Sequence, residues 1–573
     1  HGETQRHEER VFMGQYDVPL DAEGKEQCTI VGLELQHFDI DTDKIYTSDL
    51  MRAVESSEII AGFLPSRPEV VALPELREMS LGSWDGKFIR ETGNAVTSIY
   101  DLKPDTSYQV ECRSGERLVL KSSFTTDSEF VTLDVRDFGA KGDGVQDDTL
   151  FIQAAIMACP EKSRVLIPAG TYRIVSLFLK DNVNIELAEG AVLSAYTDRT
   201  RFPVFQGMIQ SYDEQGEYNL GTWEGNPLPM FTGIITGVNV KEAVIYGQGI
   251  IDGNAGTGEG NWWHEPKVIH TACRPRMIFL ERCRQVTVQG ITVRNSPSWN
   301  IHPYFSDHLR FFDLKVLSPK DSPNTDGLDP ESCQDVEIAG VYFSLGDDCI
   351  AVKSGKIYMG STYKCPSKNI SIRRCCMRDG HGSVTIGSEM AGGVKDLTVK
   401  DCMFLHTDRG LRIKTRRGRG KDAVVDKIVF EHIRMDHVMT PFVINCFYFC
   451  DPDGHSEYVR TKEALPVDDK TPFIKSLCFR DIEAENCHVA AAYMYGLPEQ
   501  RIERVEMERV RVSYAASARE GQPAMMDGCD SHICRMGIYA NQIEELVLKD
   551  VKVEGQDGPA IITENIGCVC GSI

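Results

Sequence analysis

Four short motifs between Asn324 and Lys414 gather the residue types that acid–base chemistry needs. They are Asn324-Thr325-Asp326-Gly327, Gly346-Asp347-Asp348, Gly380-His381-Gly382 and Arg412-Ile413-Lys414. Together they offer carboxylates that can protonate a leaving group or activate a water, an imidazole that can tune them, and two cations for an anionic substrate. Two ionised carboxylates about 5 Å apart at an effective dielectric near 20 repel by roughly 3 kcal/mol. Such crowding raises one pKa by about two units, which keeps a proton available near neutral pH. A lone Asp at a turn more often hydrogen-bonds the backbone. The chemistry therefore depends on the motifs converging in space.

An internal repeat supplies the positioning. An eight-residue apolar/polar alternation recurs at 286–293, 309–316, 336–343, 370–377, 397–404, 428–435, 477–484, 505–512 and 546–553. Its period is that of a strand with one buried face. Most copies begin 23 to 34 residues apart, too close for a helix between every pair of strands. A mainly β, right-handed parallel β-helix satisfies both facts, with each turn of chain stacked on the last. Asp347 follows Phe343 by four residues and His381 follows Met377 by four, so both are expected in one column. Leu328, Ile350, Val384 and Leu411 align the next strands. Asp326 and Asp348 then share a second column, and Arg412 and Lys414 project outward between the inward Leu411 and Ile413.

The four motifs, in this order, resemble those of glycoside hydrolase family 28, the polygalacturonase family, and the resemblance covers about residues 130–573. It implies an inverting hydrolase of α-1,4-galacturonosyl linkages in pectin-derived oligogalacturonides. By carry-over Asp347 is the general acid, Asp326 and Asp348 hold the water, and His381 tunes the acid or positions substrate. Arg412 and Lys414 would grip a sugar carboxylate, with Asn324 and His302 as further substrate contacts. The acid and base of an inverting enzyme are expected roughly 6.5–9.5 Å apart. No metal or organic cofactor is implied. Long insertions after Tyr196 and Phe449 resemble those of exo-acting bacterial members. Trp262-Trp263 and Trp299 are candidates either for sugar stacking or for packing.

The chain ahead of this domain reads differently. His1-Gly2-Glu3-Thr4, Tyr46-Thr47-Ser48-Asp49-Leu50-Met51-Arg52 and Leu76-Arg77-Glu78-Met79 resemble a truncated histidine phosphatase (phosphoglycerate mutase-like) domain over residues 1–91. His1 would be the phosphate acceptor, Arg52 a phosphate ligand and Glu78 the proton donor. The first strand and later half of such a domain are missing, so phosphatase activity is not expected. Residues 92–128 resemble the end of a fibronectin type III domain and are expected to form three strands. Asp147, Asp148 and Thr149 precede an amphipathic helix, which Asp148 or Thr149 is expected to cap. That helix would plug the first coil.

The 573 residues carry a formal net charge of −23, which argues against nucleic acid or an anionic membrane as partner. No apolar run approaches the roughly 20 residues of a membrane helix. Arg416, Arg417, Arg419 and Lys421 read as a solvated basic loop. The 19 cysteines follow no zinc or disulfide framework and read as reduced core thiols. A cytoplasmic bacterial protein is therefore expected, or a secreted one if a leader precedes His1. The rival readings are a calcium-dependent pectate lyase and a non-catalytic carbohydrate-binding solenoid.

Overall fold

The computed structural model describes residues 17–37, 42–73, 96–114, 117–258, 261–264 and 274–571. The chain divides into two compact units, His1–Ala95 and Val96–Ile573. In the first, helices Ala22–His37 and Met51–Phe63 accompany the parallel strands Lys44–Thr47 and Glu69–Ala72. Parallel strands need a crossover, and the second helix provides it. Arg52 is buried on that helix, while His1 and Glu78 lie outside the described residues.

The second unit opens on one antiparallel hairpin, Ser107–Ser114 with Arg117–Thr125, closed by the stacked rings of Tyr108 and Phe124. This is two strands where three are expected. Asp101 and Asp105 take positive φ and Pro104 lacks an N–H, so residues 96–106 form a turn-rich lead-in. Ser98 N–H donates to Asp313 and Gln289 donates to Ser98 Oγ, which pins this lead-in to the coils.

From Thr132 onward the chain winds into a right-handed parallel β-helix whose main sheet counts 28 strands. The repeat register is realised residue by residue. Val288, Phe311, Ile338, Ile372, Val399, Phe430, Phe479, Met507 and Leu548 pair in sequence as a single inward column. All nine are buried in one continuous core, because each coil places the same alternating face on the one before it. Cys349, Cys375, Cys402 and Cys446 are buried and free.

The helix Thr149–Ala158 covers the first coil with Ile152, Ala155 and Ile156. Its cap differs from expectation. Asp147 Oδ1 accepts from Thr149 N–H and Oγ–H, whereas Asp148 turns inward and accepts from the backbone of Lys141 and Gly142. The fully buried Asp148 is needed to satisfy those two loop donors. No helix among the described residues is long and apolar enough to cross a membrane.

Candidate active site

The four motifs do converge. Leu328 pairs with Ile350, Ile350 with Val384 and Val384 with Leu411. The backbone just before them is stitched by Gly327 N–H to Asp348 O, Cys349 N–H to Gly382 O and Ser383 N–H to Arg409 O. Asp326 and Asp348 therefore stand in one column, and His381 N–H donates to Asp347 O in the neighbouring one. One oxygen from each of Asp326, Asp347 and Asp348 lies within 4.8 Å of the other two. In-register coils impose this: Asp326 and Asp348 are one coil rise apart, and Asp347 is the residue beside Asp348. The separation is shorter than the 6.5–9.5 Å anticipated for an inverting pair. Gly382 lets the coils close here, because a Cβ at that position would meet Asp348 Oδ1 at 2.7 Å.

Neighbouring charges give the three carboxylates different characters. Asp348 is fully buried, and burial alone would push its pKa up. Lys414 Nζ at 2.8 Å and Arg412 Nη1 at 3.2 Å override that and hold it well below the ordinary carboxylate range. Asp326 moves the other way: burial, then the charges of Asp329 and Asp347, raise it well above that range. Asp347 is half-buried, and one of its oxygens accepts from Asp348 N–H at 2.9 Å. His381 is exposed, and its Nδ1 lies 2.9 Å from Asp408 Oδ2. That hydrogen bond raises the imidazole pKa, with Asp347 and Asp348 adding to it against burial.

A buried layer that the motifs do not include supports this set. Lys353, three residues past Ile350, ion-pairs with Glu389 at 3.3 Å, Asp329 at 3.5 Å and Asp326 at 3.8 Å. Its ammonium also lies 4.4 Å from the centre of the Trp299 ring. Burial opposes its charge, but the three carboxylates hold the pKa well above the usual lysine value. Asp329 rises to about 7 and Glu331 to about 8, both mainly through burial. A sequence signal for Lys353 existed: it occupies the position relative to Ile350 that Lys414 occupies relative to Leu411, and Glu331 pairs with it across the ladder. Asp408, by contrast, is identified only by its contact with His381.

Several expected contacts are placed elsewhere. His302 is fully buried, with Nε2 2.9 Å from Glu331 Oε2 and its ring packed on Trp299 and Phe279. It is enclosed by these groups and has no solvent-exposed surface in the structure. Asn324 sits at a turn with positive φ, where its Oδ1 accepts from Arg274 at 2.6 Å. Arg412 and Lys414 face outward as expected but are buried against Asp348. Trp262 packs between Phe202 and Phe231, Trp263 donates to Ser296 O, and Trp299 stacks on Trp223 at 5.5 Å. The basic loop is not solvated. Arg416, Arg417 and Arg419 are buried on Asp451, Asp453 and Glu499, leaving Lys421 exposed. The insertion after Phe449 supplies two of those three carboxylates.

Comparison with known proteins shows the family of this chain. The signature of glycosyl hydrolases family 28 matches residues 212–527. The chain belongs to this family. It is thus a glycoside hydrolase with the parallel β-helix of its relatives. A probable polygalacturonase of Vitis vinifera is 31% identical over 72% of this chain and 80% of its own length. An endo-polygalacturonase of Pectobacterium parmentieri is 30% identical over 52% of this chain and 72% of its own. Coverage of a Juniperus ashei polygalacturonase is lower, 57% of that protein. In fold the chain is similar to an exopolygalacturonase of Thermotoga maritima, with TM-score 0.59 and 22% identity over 74% of this chain and 92% of that one. Residues 1–119 match the histidine phosphatase superfamily (branch 1).

Proposed function

We propose that this family 28 enzyme hydrolyses α-1,4-galacturonosyl linkages from the chain end of pectin-derived oligogalacturonides. The observation that carries the reading is the triple carboxylate set: three acid oxygens within 4.8 Å, one residue half-exposed and two buried beside cations. Asp347, the half-exposed member, protonates the departing glycosidic oxygen. Asp348, kept ionised by Lys414 and Arg412, takes the proton of the attacking water, which Asp326 helps to hold. Arg412 uses one of its five donors and Lys414 one of its three on Asp348, which leaves donors on each for a sugar carboxylate. His381, tied to Asp408, lines the exposed side.

We read two segments that fold back onto the coils flanking the carboxylates as walls, in support of exo action. On one side Trp223 stacks on Trp299, and Arg276 donates to Thr222 O. On the other, Arg409 donates to Gln522 O and Asn445 to Met525 O. Such walls favour a pocket for a chain end over an open groove.

Stereochemistry has two readings. The family resemblance favours inversion, with a water between Asp326 and Asp348. The short carboxylate spacing is nearer the 5–5.5 Å of retaining enzymes, in which a carboxylate attacks directly. Proton NMR of the first product anomer separates them: β-galacturonate means inversion and α-galacturonate means retention.

The deciding experiment is incubation with saturated oligogalacturonides followed by product sizing. Monomer alone supports the proposal, a ladder of sizes overturns exo action, and no cleavage overturns the substrate. An unsaturated, chelator-sensitive product would make the enzyme a lyase. If Asp347→Asn released as much sugar as the wild type, the assignment of the acid would fall. For the first unit we propose no phosphatase role, and phosphate-ester turnover that disappears in His1→Ala would refute that.

A further inference from the structure

A second cluster of ligand-type side chains lies at a coil corner outside the carboxylate set. Asp379, His406, His437 and Asn486 all have φ between 53° and 58°. His406 N–H donates to Asp436 O and His437 N–H to Glu485 O, so the two histidines stand one above the other with ring centres 5.0 Å apart. Asp436 is 5% exposed. Its Oδ1 accepts from Asn486, but its buried Oδ2 has no hydrogen-bond partner. That oxygen lies 3.0 Å from His437 Nδ1, which is also buried and without a hydrogen bond. The pair is close but not aligned to share a proton. One donor atom from each of His406, Asp436 and His437 falls within 4.8 Å of the others.

We propose that His406, Asp436 and His437 bind a divalent transition-metal ion of the zinc type, clipping two successive coils together. Two imidazoles and one carboxylate suit zinc, cobalt or nickel, whereas calcium and magnesium need more oxygen ligands than this corner offers. At Zn–N distances of 2.0–2.1 Å, tetrahedral ligands lie roughly 3.3 Å apart. The His437–Asp436 contact, at 3.0 Å, is near that already, and the His406 donor atom lies within 4.8 Å of both. His488 packs on His437 at 5.7 Å, but its Nδ1 accepts from Arg519 N–H, so Nε2 carries the proton and His488 is not counted among the ligands. His406 is two residues before Asp408, the partner of His381, so a bound ion would brace that corner.

The test uses the full chain stripped with chelator and titrated with ZnCl2 by calorimetry and thermal melting. His406→Asn and His437→Asn keep the corner backbone, since Asn486 occupies the same column with φ 53°. The half-buried Glu545 with the exposed Cys568 and Cys570 is a second set of ligand-type groups, so the titration is made in a Cys568→Ser, Cys570→Ser background. One equivalent of zinc with a raised Tm, both lost in each Asn variant, is the expected result. Equal binding in the variants, or no binding at micromolar zinc, overturns the site. A second readout in the same background is Co2+ absorption: d–d bands that are lost in His406→Asn and His437→Asn support the proposal, while bands that persist in both variants overturn it.

Discussion

Replacing Lys414 by Met tests whether the two cations act first on Asp348 or only on the substrate. Lys414 Nζ is 2.8 Å from Asp348 Oδ2, and the carboxylate is fully buried. Removing one partner of a buried pair costs about 3–5 kcal/mol. Arg412 remains at 3.2 Å, so the lower end, about 3 kcal/mol, applies to Lys414→Met. At about 1.4 kcal/mol per pKa unit, the Asp348 carboxyl would rise by about two units. Because Asp348 lies below its unfolded-state pKa, the stabilisation from its cations is present above that unfolded value. It is lost as pH falls through the folded value. The variant should therefore melt well below the wild type at pH 7 and at pH 4 alike, with the gap closing only well below pH 4. Its acid limb of kcat should move up by one to two pH units, and Lys414→Arg should restore most of both. The measurements are melting curves and pH–rate profiles on oligogalacturonide. A rise in KM alone, with the acid limb unmoved and a melting penalty that stays the same well below pH 4, would refute the reasoning.

Lys353→Met leaves Asp326, Asp329 and Glu389 buried around an apolar side chain; kcat and Tm should both fall, by about 3–5 kcal/mol in stability. Adding Glu389→Met should recover part of the Tm but not kcat, which melting and single-turnover assays on the pair can check. His302→Phe should cost about 1–3 kcal/mol by orphaning Glu331, with KM unchanged; a raised KM would return His302 to the substrate. Asp329 and Glu331, at about 7 and 8, hold protons in the fold that the unfolded chain releases at lower pH. Stability should thus decline as pH rises from about 5 to 8. Melting curves of Asp329→Asn and Glu331→Gln should show a flatter slope.

The sequence by itself determined the coil and its register. A period-two apolar pattern recurring every few tens of residues has one economical burial, and that burial puts Asp326 over Asp348 and Asp347 over His381. It also implied which face Arg412 and Lys414 take, since strand alternation follows from Leu411 and Ile413 in the core. What the register does not encode is how side chains on that face meet groups from distant insertions. His302 has the same outward position as Asp329 and Arg412, yet it is buried, with Nε2 on Glu331 and its ring against Trp299, which Trp223 in turn stacks on. The arginines after Lys414 read as solvated until Asp451 and Asp453 fold back onto them. Asn324 was legible as a motif member, but its bond to Arg274 spans fifty residues of unrelated loop. Tertiary structure also decided the state of each carboxylate. Charge at Asp326 and Asp348 depends on burial and on which cation arrives within 4 Å, Lys353 or Lys414. Local pattern specifies columns, and long-range contacts specify the electrostatics within them.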